Sequence, residues 1–118
     1  MKLIRRYYSF ILLFSLLFFI GCSATIPTNQ APVITSDPVT FVLIGKSYAY
    51  QVEAMDTKGE ILTYSLTSKP SGMTINSSNG IITWTPTMAG TYNVSIVVSD
   101  GELSDSQSFT LTVAAIWH

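Results

Sequence analysis

The stretch 72–101, GMTINSSNGIITWTPTMAGTYNVSIVVSDG, decides the fold. Turn chemistry divides it into three extended runs. Asn79-Gly80 readily supplies the two positive φ angles of a type I′ hairpin turn, and Thr85-Pro86 ends the run that follows. Ile82 and Trp84 share one face of that run, opposite Ile81 and Thr83. Tyr92, Val94, Ile96 and Val98 form the longest alternation in the chain, the pattern of a strand with one buried face. Ser99-Asp100-Gly101 then turns the chain again.

The same period of two runs outward from this stretch in both directions. Pro32–Thr35 and Val39–Ile44 read as short extended pieces split by Asp37-Pro38, where a proline suits an edge or a strand switch. Tyr48, Tyr50, Val52 and Ala54 make one apolar face, and Leu62, Tyr64 and Leu66 another. Met73 and Ile75 precede the Asn-Gly turn, and Phe109, Leu111 and Val113 close the series. About seven short strands at regular spacing predict an all-β, immunoglobulin-like sandwich over residues 32–114. The expected core includes Tyr64, Ile82, Trp84 and Tyr92, with Trp84 its largest single element. The chain has one cysteine, so no internal disulfide forms and burial must hold the fold.

Upstream the chemistry changes. Residues 1–21 carry Lys2, Arg5 and Arg6 and then the apolar run Phe10–Ile20. That run is shorter than the ~20 residues a spanning helix needs, and it fits the helical core of a secretory signal peptide. Gly21-Cys22 follows, and Phe19-Ile20-Gly21-Cys22 resembles the lipobox of bacterial lipoproteins. The resemblance implies cleavage before Cys22, lipid on its sulfur, and a place in a bacterial cell envelope, membrane-anchored and facing outside the cytoplasm. Two acyl chains hold a protein stably at a bilayer where one does not. Residues 22–31 then read as the lipidated cysteine and a polar tether, and 115–118 as a short tail.

Charge and composition narrow the function. After residue 21, three lysines face seven acids, a balance of −4. A phosphate backbone needs a basic stripe, so nucleic acid is not an expected partner. The only histidine is His118, at the chain's end, so no serine or threonine has a base to activate it. An enzyme is not expected.

The segment Ala31–Ala114 resembles the bacterial putative-Ig domains of the cadherin-like, dystroglycan-type superfamily. Gly45-Lys46-Ser47-Tyr48, Pro70-Ser71-Gly72-Met73, Thr83-Trp84-Thr85-Pro86 and Val98-Ser99-Asp100-Gly101 carry the likeness. It implies a spacer or adhesion role, with a protein or cell-wall surface as partner. In cadherins an Asp-x-Asp pair after the second strand helps to bind Ca²⁺, which demands six to eight oxygen ligands. Here Asp56 holds the first position and Lys58 the second. Asp56, Glu60, Asp100 and Glu102 are the acids that could converge at one loop end, for calcium or for glycan. The alternative is that they are turn and solubility residues.

Overall fold

The computed structural model describes residues 29–116. The signal peptide, Cys22 and most of the tether lie outside the described residues, as do Trp117 and His118. Among the described residues every regular element is a strand, and no helix is long and apolar enough to cross a membrane. The strands are β1 (Val33–Ile34), β2 (Phe41–Leu43), β3 (Tyr48–Gln51), β4 (Ala54–Met55), β5 (Thr63–Ser68), β6 (Thr74–Ile75), β7 (Ile81–Trp84), β8 (Gly90–Ser99) and β9 (Ser104–Ala114). One sheet has the order β2-β9-β8-β5 and the other β3-β7-β6, with a two-stranded β1-β4 piece beside them. The all-β sandwich expected from the alternation is the fold.

The β8-β9 hairpin is its spine. Ten residues of each strand pair in antiparallel register, from Gly90↔Val113 to Ser99↔Ser104. Alternation puts Val94, Ile96 and Val98 wholly inside, against Ile82, Met73 and Leu111. The opposite face of β8 carries Asn93, Ser95 and Ser99, and Ser95 Oγ lies 2.8 Å from Ser108 Oγ across the ladder. Each fully buried aliphatic side chain contributes about 1.5–3 kcal/mol. This row therefore decides whether a domain without a disulfide stays folded.

The strand that sequence places at Phe109–Val113 begins five residues earlier. Its first half, Ser-Asp-Ser-Gln-Ser, lacks apolar residues at the inward positions and so shows no hydrophobic period. The inward side chains there are instead hydrogen-bonded. Asp105 Oδ2 accepts the backbone N–H of Ile34 at 2.8 Å, and Gln107 Nε2 donates to Ser36 O at 2.9 Å. Tyr50 Oη, 2.7 Å from Ser36 Oγ, donates to Gln107 Oε1 at 2.9 Å. Buried polar groups need such partners, and here they tie β1, β3 and β9 together.

Two strand switches bring the sheets together. Around Pro38 the chain leaves β1, which pairs β4, and enters β2, which runs parallel to β9. The run expected as one strand from Tyr48 to Ala54 breaks at Val52-Glu53, so β3 pairs β7 while β4 pairs β1. Tyr48 is buried and its Oη donates to Val39 O at 2.6 Å, fixing the crossing segment.

The turn at Asn79-Gly80 differs from the expected type I′. Among the described residues none other than glycine has a positive φ, so Asn79 cannot take its part in that turn. Asn76 organises a longer loop instead. Its Oδ1 accepts the N–H of Ser78 and of Asn79 at 2.8 and 2.9 Å, and Gly80 N–H donates to Asn76 O. Gly80 alone bends back, at φ +76°, and a Cβ there would stand 2.9 Å from Val52 O and 3.0 Å from the Tyr64 ring. A side-chain cap has replaced the second left-handed residue.

Candidate functional site

Because β8 is ten residues long, its ends lie roughly 30 Å apart. The residues with chemistry fall at these two poles. At one stand Asn29, Asp56, Asp100 and Glu102; at the other Trp84, Met88 and Tyr92.

At the acidic pole the carboxylates are held by the backbone. Asp100 Oδ1 accepts N–H groups from Glu102 and Leu103, both at 2.8 Å, which shapes the β8-β9 turn. Its Oδ2 accepts the side-chain amide of Asn29 at 2.9 Å, and the same Nδ2 reaches Glu102 Oε1 at 3.0 Å. The backbone N–H of Leu103, then that of Glu102, and more weakly the Asn29 amide hold the Asp100 carboxyl below its ordinary value of 3.8. Asp56 Oδ1 accepts Lys58 N–H at 3.0 Å in a turn of the same kind. Glu60 is exposed in the following loop.

These four acids do not form a calcium cage. Among the described residues no three Asp, Glu, His or Cys side chains converge on one point. Asp100 Oδ1 already has two donors, and Lys58, adjoining the Asp56 turn, is a cation where a second carboxylate would be needed. Two oxygens at this pole, Asn29 Oδ1 and Asp56 Oδ2, are buried without a hydrogen-bond partner among the described residues. They are hard donors of the type Ca²⁺ takes, but two fall well short of six.

The aromatic pole is built differently. The sequence places Trp84 at the heart of the core; the structure has it half-buried at the core's rim. The largest fully buried side chains are Tyr48, Met73 and Ile82. Trp84 follows the last fully inward position of β7 and meets Tyr92, near the start of β8, edge to face, with ring centroids 5.1 Å apart and planes at 76°. Its Nε1–H donates to Ser71 O at 3.0 Å, and Tyr92 Oη donates to Met88 O at 2.7 Å. Both rings line an open cleft of about 520 Å³ with Pro70, Thr87 and Met88. Met88 is 69% exposed.

Of the other expected core residues, Ile82 and Tyr64 are buried and Tyr92 is half-buried beside Trp84. Sequence reading missed Asn29, assigned to the tether, and Met88, assigned to no strand. Only the pairing of Asn29 with Asp100, 71 positions away, gives it a role.

Residues 31–114 match the sequence profile of the family described as Putative Ig domain. Among curated proteins, the integrin beta-like protein A of Dictyostelium discoideum is 35% identical over 77 residues, which is 61% of this chain and 4% of that protein. The serine-rich adhesin for platelets of Staphylococcus aureus is 40% identical over 50 residues, 42% of this chain and 2% of the adhesin. The chain thus spans only a few hundredths of the length of these relatives. Among solved structures, the first two repeats of human protocadherin-24 superpose with a TM-score of 0.57 at 21% identity, over 73% of this chain and 44% of that one. An endo-fucoidan hydrolase of glycoside hydrolase family 107 gives 0.58 at 30% identity, over 78% of this chain and 15% of the enzyme.

Proposed function

The chain belongs to the Putative Ig domain family, and we propose that it is a bacterial surface lipoprotein, anchored to a membrane through Cys22. On this reading it presents one Ig-like module in a structural, spacer or adhesion role toward a protein or cell-wall surface. The observation that carries the adhesion role is the likeness, over 50 residues, to a short stretch of a far longer staphylococcal adhesin. The placement of Cys22 straight after Gly21 and an eleven-residue apolar run supports the anchor. The chain's one histidine and one thiol lie outside the module.

Metabolic labelling with an alkynyl palmitate analogue, followed by membrane fractionation, tests the anchor. The wild-type chain is expected to carry label and sediment with membranes, and Cys22→Ala to lose both. Wild-type protein that stays unlabelled and soluble would sink the proposal. A second reading, a cation at the acidic pole, is favoured by the partnerless oxygens of Asn29 and Asp56. It requires Ca²⁺ to raise the melting temperature of the full chain, and to do so less in Asp56→Asn.

A further inference from the structure

We propose that the Trp84–Tyr92 cleft is a binding site for neutral pyranose oligosaccharides. The site lies at the pole away from Asp56 and Asp100, and its existence does not depend on the lipid anchor.

The wall chemistry makes the case. Trp84 and Tyr92 are each half-buried, so each has part of its ring open to the cleft. Both have their polar atoms engaged within the domain, by Ser71 O and Met88 O. What they present outward is ring surface, electron-rich on its faces, where the C–H groups of a pyranose pack favourably. Gly72, at φ +90°, lies beside the indole edge: a Cβ at that position would make ordinary van der Waals contact with Trp84 Nε1, at 3.7 Å. Around the rings lie the exposed hydroxyls of Ser71, Thr85 and Thr87. A hydroxyl both donates and accepts, which matches a polyol.

Charge and donors disfavour the competitors. Among the described residues no side chain lining the cleft is charged, so an anionic glycan or an acidic peptide finds no counter-charge. A proline-rich peptide also docks on aromatic grooves. Its backbone carbonyls need donors, however, and the strongest donor here, the indole N–H, is bonded to Ser71 O. The volume, about 520 Å³, falls in the roughly 300–1,000 Å³ range of small-ligand sites.

The test uses the full chain carrying Trp117→Phe, which leaves Trp84 as the only tryptophan. Its emission is followed during titration with cellohexaose, maltohexaose and chitohexaose, with hexagalacturonate as the anionic control and decaproline as the peptide control. At least one neutral hexamer is expected to give a saturable change that hexagalacturonate does not. Met88→Asp, at an exposed position, is expected to keep the melting temperature and weaken that binding at least tenfold. The proposal is overturned if none of the three sugars gives a saturable change, if decaproline binds in their place, or if Met88→Asp binds as tightly as its parent.

Discussion

The two poles of this domain carry opposite chemistry, and the structure holds the residues of each differently from what the sequence suggests. At the acidic pole, charged groups that look like ligands are engaged in holding turns: Asp100 Oδ1 has two backbone donors, and Asn29 ties the end of the tether to Asp100 and Glu102. At the aromatic pole, a tryptophan that looks like a core residue stands at the rim, with one edge bonded to Ser71 and ring surface open to solvent. A carboxylate just before the glycine of a turn accepts the backbone N–H groups two and three residues on, which would otherwise lack partners. A large aromatic at the last position of a strand projects where the sandwich ends.

Substitutions along the axis between the poles would break this contrast or sharpen it. The largest effect belongs between them, where Ile82 is fully buried: Ile82→Ala should cost about 2–5 kcal/mol in urea unfolding. Trp84→Ala removes a larger side chain but a half-buried one, and about 2 kcal/mol is expected, below the 3–5 of a fully buried tryptophan. A larger loss for Trp84 than for Ile82 would return the indole to the centre of the core.

Tyr48→Phe should cost about 1–2 kcal/mol, because Val39 O loses its buried donor. Burial, and secondarily the Tyr50 phenol, push the Tyr48 hydroxyl well above its ordinary 10.0. A group whose folded value is raised contributes stability that is whole below its unfolded value and declines above it. Wild-type stability should therefore fall as pH rises beyond 10, and Tyr48→Phe should fall less steeply over that window.

The smallest effect is at the acidic pole, where Asp100 is only half-buried. Its folded value is lowered, so its contribution is present above the unfolded value near 3.8 and is lost as pH falls through the folded one. Thermal melts between pH 5 and pH 2 should show a decline in the wild type that is shallower in Asp100→Asn. Identical pH profiles would mean that the carboxylate does not hold the turn.

Much of the fold was readable because it rests on alternation. Tyr92–Val98 and Ile82 reveal their buried face from period two alone, and Pro38 marks a strand switch by lacking an N–H. What stayed hidden depends on contacts distant in sequence. The polar half of β9 has no hydrophobic period, since Asp105 and Gln107 face inward to bond Ile34 and Ser36, each 71 positions away. The loop at Asn76–Ile81 is set by a side-chain cap that the Asn-Gly dipeptide conceals. The candidate site was hidden for a similar reason: the rim position of Trp84 depends on where the sheets stop, and Met88 belongs to no strand.

The contrast between the poles is tested most directly by ¹H–¹⁵N correlation spectra of the full chain, recorded with increasing amounts of a neutral hexasaccharide that quenches Trp84. Progressive shifts are expected at Ser71, Gly72, the Trp84 indole N–H, Thr87 and Met88, with Asp56 and Asp100–Leu103 unmoved. Shifts gathered at Asp56 and Asp100–Leu103, with the indole signal unchanged, would contradict the assignment of binding to the aromatic pole and structure to the acidic one.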